Sequence, residues 1–277
     1  MRDARQCLFT IVLVACGPSG DRDNDSGDGV DASVDSGGGS GSDGNSEGDA
    51  SVTHVYAHSS STLYRVDPDT LVVTMVGDFG WSHGADQMTD LAIDKNGLMI
   101  GMSYSAVYRI DTMTAKATRL SDGLAGNFNG LSFVPAAMLG QTGDDILVAT
   151  RGEDGGVFRV DPMTGATSAV GDMGNFESSG DLVSVSGLGT LQTTGNDFSV
   201  DRLARLAPNT FAATPIGTDI GFSDVWGIAY WKNRVFGFTS YGEFITIDPT
   251  TGVGTLVQGN GPSWWGAAVT TSAPVIL

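Results

Sequence analysis

Six polar or aromatic side chains stand at or next to the start of short apolar runs that recur along the chain. They are Asp90, Asn129, Asp181, Asp224, Trp226 and Trp265. Carboxyl groups that converge on one cavity could act as the acid and the base of glycoside hydrolysis. Tryptophan faces beside polar groups could instead stack on sugar rings or cations and bind a ligand without chemistry. We therefore predict that these six residues bind a ligand, and we assign a catalytic role to none of them.

The aspartates and tryptophans of this set also have a structural interpretation. Asp90 and Asp181 could accept hydrogen bonds from neighbouring backbone N–H groups and so hold adjacent repeats together. Trp226 and Trp265 occupy equivalent positions in the repeat, and packing between repeats would explain them as well. The sequence leaves both interpretations open.

Other kinds of site find little support. The glutamates Glu153, Glu177 and Glu243 fall outside the repeated position, which weakens a glycosidase interpretation. Three scattered histidines and two cysteines do not form a metal-ligand pattern, so we expect no metal. A Gly-rich phosphate loop and a G-x-S-x-G elbow are both absent, and we expect no cofactor. A net charge of −18 also argues against a nucleic-acid partner, because phosphate contacts need a basic face.

The elements that must position these residues form a repeat of four short strands. In the clearest copy, apolar runs begin near Trp226, Arg234, Glu243 and Val253 and are separated by tight turns. Four such strands in succession predict an antiparallel meander, which is one blade of a propeller. The turn after the third strand recurs at residues 67, 111, 161, 207 and 248, with Asp at every copy except Ala207. We expect these Asp residues to be turn residues.

Counting the strands predicts the number of blades. First strands begin near residues 89, 129, 180, 226 and 265, and no further strands follow the last of them. The opening unit, from residue 52, has the other three strands and lacks a first one. The sequence therefore predicts an all-β fold, a five-bladed β-propeller of four-stranded antiparallel blades. Its ring is closed by the C-terminal strand, which pairs with the N-terminal blade.

Two resemblances follow from these residues. The segment Leu63-Tyr64-Arg65-Val66-Asp67-Pro68 and its copies resemble a bacterial propeller repeat of the form Tyr-x-Ile-Asp-Pro-x-Thr-Gly. At the N-terminus, Leu13-Val14-Ala15-Cys16-Gly17 follows a short apolar run and resembles a bacterial lipobox. That resemblance implies lipidation of Cys16, removal of the signal peptide and a lipoprotein of the bacterial cell envelope. The membrane and the face it occupies stay open.

The chain divides into three parts. Residues 1–16 are expected to be the lipoprotein signal peptide, residues 17–50 a disordered acidic tether rich in Gly, Ser and Asp, and residues 51–277 the propeller. We expect a monomer that is attached to the membrane through its lipid and whose propeller is a non-catalytic binding module for a protein or a glycan. The alternative is a carbohydrate-active hydrolase or lyase that uses carboxylates at the mouth of the channel.

Overall fold

The computed structural model describes residues 55–195 and 200–276. The predicted signal peptide, Cys16 and the predicted tether lie outside the described residues. Within the described part, strands and tight turns alternate, with a single 3-10 helix at Ala136–Leu139. This helix is far too short to cross a bilayer, and the described residues contain no longer one.

The strands form five antiparallel four-stranded blades. Blade 1 contains β1 (Val55–His58), β2 (Thr62–Val66) and β3 (Val73–Asp78), and blade 2 contains β5 (Asp90–Ile93), β6 (Met99–Met102), β7 (Val107–Ile110) and β8 (Lys116–Ser121), with the short β4 (Gly80–Trp81) parallel to β8. Blade 3 contains β9 (Phe128–Val134), β10 (Ile146–Arg151), β11 (Gly156–Val160) and β12 (Thr167–Asp172). Blade 4 contains β13 (Ser178–Val185), β14 (Gly189–Thr194), β15 (Arg202–Leu206) and β16 (Ala213–Ile216). Blade 5 contains β17 (Val225–Trp231), β18 (Arg234–Thr239), β19 (Phe244–Ile247) and β20 (Gly254–Gln258), and the last strand is β21 (Gly266–Ala268).

The last strand completes the first blade. β21 pairs antiparallel with β1, so that Gly266 faces His58 and Ala268 faces Tyr56. The innermost strands β21, β5, β9, β13 and β17 contact one another in turn around the centre. The predicted five-bladed ring, closed by its C-terminal strand, is therefore confirmed.

The core lies between neighbouring blades rather than in one central mass. Leu63 of blade 1 packs with Leu91 and Tyr108 of blade 2, and Val183 of blade 4 packs with Ile228 of blade 5. Side chains alternate along each strand, so both faces of a blade meet a neighbour. Each fully buried Leu, Ile or Phe stabilises the fold by about 1.5–3 kcal/mol, and this stabilisation is distributed around the ring.

The inner strands give the ring two distinct ends. We call the end where they begin the upper end, and the end where they finish the lower end. The chain comes into blade 1 at Val55, which lies at the lower end because β1 runs opposite to β21. Loops between the second and third strands of each blade also lie at the upper end, since successive strands alternate in direction.

The segment after β21 crosses the lower end of the ring. Thr270 Oγ1 donates to the Asp94 carbonyl of blade 2, and Thr271 Oγ1 donates to the Asp145 carboxylate of blade 3. Further along, the backbone N–H of Ser186 in blade 4 donates to the Thr271 carbonyl at 2.8 Å. Lys232 of blade 5 donates its backbone N–H to Pro274. The C-terminal segment thus touches four blades besides the one that it completes.

The turn after the third strand works as the sequence predicts. Oδ1 of the Asp accepts the backbone N–H groups two and three residues ahead, as at Asp111, Asp161 and Asp248. The residue four positions on has a positive φ in every copy and donates its N–H to the carbonyl of the first turn residue. That residue is Leu71, Ala115, Gly165, Phe211 or Gly252. The degenerate copy with Ala207 keeps the left-handed residue at Phe211 and its N–H bond to the Ala207 carbonyl. It lacks the carboxylate acceptor, and its backbone differs at Asn209, which has a φ of 64°.

Candidate functional site

Two carboxyl groups occupy the centre of the ring. Asp90 accepts the N–H of Leu91 at 2.8 Å through Oδ1 and that of Leu131 at 2.6 Å through Oδ2. Asp181 accepts three further N–H groups. Their distances are 2.6 Å from Leu182, 2.9 Å from Ile228 and 3.3 Å from Ala267. These five donors are equivalent residues of five inner strands, so each blade contributes one N–H to the pair.

Three glycines make room for this arrangement. Gly130, Gly227 and Gly266 stand where the other two blades have Asp90 and Asp181, one residue before the donor. A Cβ at Gly266 would overlap both the Asp90 carboxylate and the His58 ring. The two carboxyl groups and the His58 ring therefore fill the centre beside Gly266, where a third side chain at the repeat position would not fit.

Burial and mutual proximity raise the pKa of both central carboxyl groups and so favour protonation of the pair. Burial raises the pKa of Asp90 well above its usual range, and the adjacent charge of Asp181 and the hydrogen bond from Asp90 to Asp181 raise it further. Burial likewise raises the pKa of Asp181, although its backbone donors oppose that effect. Because both groups are fully buried, a single shared proton avoids two adjacent buried charges.

A neutral histidine lies against this pair. His58 Nδ1 lies 2.8 Å from the Ser59 carbonyl, which can only accept, so Nδ1 carries the proton. His58 Nε2 lies 3.8 Å from Asp90 Oδ1 and has no hydrogen-bond partner in the described part of the chain. Burial lowers the pKa of His58 to about 4, which keeps the ring uncharged at neutral pH.

Asp90 and Asp181 were expected at the mouth of the channel, and the structure places them inside it. Both are fully buried, and their oxygens receive backbone N–H groups from all five blades. The geometry agrees with the structural interpretation, in which these residues hold the blades together.

Two adjoining cavities open at the upper end. The acidic cavity, about 460 Å³, is lined by Glu153, Glu177, Asp201 and Asp224 together with polar and aromatic groups. The aromatic cavity, about 250 Å³, is lined by residues of all five blades. Those residues are Thr89, Tyr104, Phe128, Asn129, Ser179, Gly180, Trp226 and Trp265. Tyr104, Phe128, Asn129, Ser179 and Trp226 line both cavities.

The two tryptophans lie side by side at this mouth. Their ring centroids are 6.1 Å apart and their planes meet at 85°, an edge-to-face contact between adjacent blades. Both side chains are only partly buried, so each packs against its neighbour and also faces the aromatic cavity. The structure therefore shows the packing contact between blades at Trp226 and Trp265, and it leaves part of both rings accessible from the aromatic cavity.

Asn129, at a repeated position, and Asp224, just ahead of its strand, also lie at the mouth, as the sequence predicts. Asn129 Nδ2 donates to the Ser178 carbonyl at 2.8 Å, which fixes the amide between two inner strands. Asp224 has a positive φ of 53° and accepts a hydrogen bond from Ser240. Of the six residues predicted to bind a ligand, four line these cavities and two are buried below them.

Sequence reasoning missed several mouth residues. Glu153 and Glu177 were expected away from the channel, and the structure places both in the acidic cavity. Tyr104 and Asp201 lie on upper loops that follow second strands, and these loops do not repeat in length or composition. The signal that could have found them is topological, since those loops lie at the same end as the starts of the first strands.

Asp201 is the most perturbed of the mouth carboxylates. It is only 3% exposed, and burial raises its pKa to about 6. A hydrogen bond from the Val225 N–H opposes this effect, and the nearby charge of Asp224 adds to it. The acidic cavity therefore contains one carboxyl group that is partly protonated in mildly acidic solution.

The cavities at the lower end are products of the repeat. One, of about 600 Å³, lies beside Arg159, Asp161 and Ala166 of blade 3, and another, of about 500 Å³, lies beside Arg109 and Asp111 of blade 2. Because the same groove occurs at equivalent positions of two blades, it follows from the turn geometry. The described residues contain no group of three or more His, Cys, Asp or Glu side chains placed to hold a metal.

Comparisons with known proteins support the fold alone. No protein-family model matches the chain, and no curated protein matches it in sequence. Among solved structures, a chain from the crystal structure of the nidogen/laminin complex is similar, with a TM-score of 0.53 and 11% sequence identity. The similarity covers 80% of this chain and 100% of that chain.

Proposed function

We propose that this protein is a lipid-anchored protein of the bacterial cell envelope whose propeller is a non-catalytic binding module. The ligand, a protein or a glycan, binds at the upper mouth. The observation that carries the proposal is the aromatic cavity, where all five blades present side chains and where Tyr104, Trp226 and Trp265 keep exposed surface. Clefts lined by aromatic groups with a few polar ones are typical of ligand sites.

Two further observations support a binding role. Asp90 and Asp181 accept backbone N–H groups of the inner strands, which supports a structural role for the central carboxyl groups. The similar propeller chain comes from a complex between nidogen and laminin, which is compatible with a protein ligand for this chain as well.

The anchor rests on the lipobox resemblance around Cys16. A tether of residues 17–50 would have a root-mean-square span of roughly 30 Å if it behaves as a flexible Gly-rich coil. Within the described residues, β1 begins at Val55 at the lower end of the ring, which is the end opposite the upper mouth.

The lipid anchor is tested by metabolic labelling with an alkynyl fatty acid in a bacterial host. We expect the wild-type protein to incorporate the label and to fractionate with membranes. Cys16→Ala should abolish both properties, whereas Cys7→Ala should retain them because Cys7 is lost with the signal peptide. Equal labelling of the two variants would contradict the assignment of Cys16.

The binding site is tested with a non-acylated chain that begins at residue 17. We expect binding to a glycan array or to a protein partner to fall at least tenfold in Trp265→Ala. Tyr241→Ala is the matched control, because Tyr241 is an upper-end aromatic residue, 70% exposed, that lines neither mouth cavity. Equal loss in both variants would place the site elsewhere.

The second candidate function is a carbohydrate-active hydrolase or lyase. Asp201, with its pKa raised to about 6 beside Asp224, is the observation that favours it, since a general acid needs a raised pKa. Asp201 is nearly inaccessible, however, and already accepts the Val225 N–H. Turnover of chromogenic oligosaccharides that disappears in both Asp201→Asn and Asp224→Asn would establish this alternative.

A further inference from the structure

The charge of the upper mouth is one-sided. Four carboxyl groups line the acidic cavity, and no Lys or Arg from the described residues lines either cavity. Arg202 follows Asp201 in sequence and is exposed, but it lines neither cavity. The mouth therefore presents negative charge that no adjacent basic side chain neutralises.

Ion pairs do not neutralise this charge either. In residues 55–195 and 200–276, none of the ion pairs includes a carboxylate of the acidic cavity. A second basic residue, Arg151, precedes the lining residue Gly152 in sequence. Its guanidinium donates two hydrogen bonds to Asp154 and lies 4.3 Å from the centroid of the Phe158 ring. Glu153 and Glu177 are exposed, and the hydrogen bond that Glu153 accepts within the described residues comes from a neutral donor, the amide of Asn127.

The aromatic groups give the cavity its second property. Trp226 and Tyr104 line both cavities, and Tyr104 is 55% exposed. Aromatic faces attract ammonium and guanidinium groups, and adjacent carboxylates add charge-assisted hydrogen bonds. The aromatic cavity beside them, walled by Phe128 and Trp265, suits an apolar side chain.

We propose that the upper mouth binds a basic peptide segment of a partner protein. A Lys or Arg side chain occupies the acidic cavity, and a neighbouring apolar side chain occupies the aromatic cavity. This inference rests on the proposed function and names its partner class. Acidic peptides and uronic or sulfated glycans are disfavoured because neither cavity offers a cation. The hydroxyl groups of a neutral glycan can donate hydrogen bonds to the carboxylates but do not neutralise their charge, which a Lys or Arg side chain does.

Isothermal titration calorimetry on the non-acylated chain tests this with three peptides that differ at two positions: Ac-Gly-Lys-Leu-Lys-Trp-Gly-NH₂ and its Lys→Gln and Lys→Glu forms. We expect the Gln peptide to bind at least tenfold more weakly, or about 1.4 kcal/mol, and the Glu peptide not to bind. Raising NaCl to about 0.5 M should weaken the Lys peptide about tenfold and leave the Gln peptide nearly unchanged.

Protein variants separate the mouth from general acidity. The double variant Glu177→Gln/Asp224→Asn should bind the Lys peptide at least tenfold more weakly. Asp144→Asn should bind it normally, because the Asp144 side chain is 93% exposed on a lower-end loop. Unchanged thermal unfolding of these surface variants confirms that they are folded.

The outcomes distinguish this inference from the proposed function. If the Lys and Gln peptides bind alike and both depend on Trp265, the binding module stands and the basic partner is wrong. If neutral oligosaccharides bind at Trp265 and none of the peptides does, the partner is a glycan and the inference is overturned. If no peptide and no glycan binds, or if Trp265→Ala changes nothing, both proposals fail.

Discussion

At the scale of single residues, the most consequential group is Asp181. Its carboxylate receives N–H groups from blades 4, 5 and 1, including that of the last strand. An amide at this position would turn one acceptor oxygen into a donor that faces other donors. We expect Asp181→Asn to lower the free energy of unfolding by about 2–4 kcal/mol, as expected when a buried acceptor is lost. Chemical denaturation measures this.

Asp224→Asn is the control for that measurement. Asp224 stands one blade further on, at the mouth, and within the described residues its carboxylate accepts one long hydrogen bond, 3.2 Å from the Ser240 hydroxyl. Its free energy of unfolding should change by no more than about 0.5 kcal/mol. If Asp181→Asn were equally mild and instead abolished ligand binding, the central pair would be a ligand site rather than a structural one.

Asp201 gives the molecule a pH dependence with a definite sign. Its pKa is about 6 in the folded protein against an ordinary value of 3.8 for the unfolded chain, so the folded protein holds a proton that the unfolded chain has lost. Stability from this group is therefore complete below pH 3.8 and falls as the pH rises towards 6. The loss is about 3 kcal/mol at about 1.36 kcal/mol per pH unit.

The difference between wild type and Asp201→Asn isolates this effect. We expect the free energy of unfolding of the variant, relative to that of the wild type, to rise by about 3 kcal/mol between about pH 4 and pH 7. Urea denaturation across that range measures it. His58 acts in the opposite direction, since its pKa is lowered from 6.5 to about 4 and stability is lost as the pH falls through that window. Because His58 is the same in both proteins, it cancels, and a difference that does not vary with pH would contradict the assignment.

At the scale of elements, the turn after the third strand explains why the repeat can be recognised in the sequence. Asp111 and its equivalents stabilise the turn through side-chain hydrogen bonds, and the recurring Asp predicts those bonds from the sequence. The left-handed residue four positions on is Gly in only two copies, and Leu71, Ala115 and Phe211 take the same conformation. Residue type alone could not reveal those three, because surrounding strands impose the backbone against local preference.

Gly252 allows the turn to be tested directly. Its φ is 75°, and a Cβ there would overlap the Ile216 carbonyl of the neighbouring blade. We expect Gly252→Ala to destabilise the protein by about 2–4 kcal/mol, of which the positive φ accounts for about 1–2 kcal/mol. The thermal midpoint and denaturant midpoint measure the total.

Gly97→Ala supplies the matched control. Gly97 has a similar φ of 83° and nothing within 4 Å of its would-be Cβ, so this variant reports the backbone cost alone. Equal destabilisation by the two variants would mean that the blades separate enough to accommodate the methyl group.

At the scale of the whole molecule, the sequence predicted the architecture more completely than the site. Strand counting was sufficient for five blades and for closure, because missing strands at the two ends complement each other. The residues that line the upper mouth were harder to predict. Asn129, Trp226 and Trp265 occupy repeated positions and Asp224 stands just ahead of one, while Tyr104, Glu153, Glu177 and Asp201 come from loops whose lengths differ between blades. Periodicity finds what repeats, and the acidic cavity does not repeat.

Closure of the ring predicts the effect of truncation. Removing residues 263–277 deletes β21 and exposes the inner edge of β1. It also removes the Ala267 N–H, which donates to Asp181. We expect the shortened protein to aggregate or to unfold, as judged by size-exclusion chromatography and thermal unfolding. Removal of residues 276–277 alone should leave a monomer, since it spares every strand. A monomer of native thermal stability without residues 263–277 would be incompatible with a closed ring.

The pairing of β1 with β21 also determines when folding can finish. The partners His58 and Gly266 are separated by about 200 residues, so the decisive contact forms only after nearly all of the chain has been synthesised. Until then β1 lacks its inner neighbour, and the Asp181 carboxylate lacks a donor from the final strand. The ring therefore cannot close while its last strand is still on the ribosome, and folding is completed only after synthesis of the chain has ended.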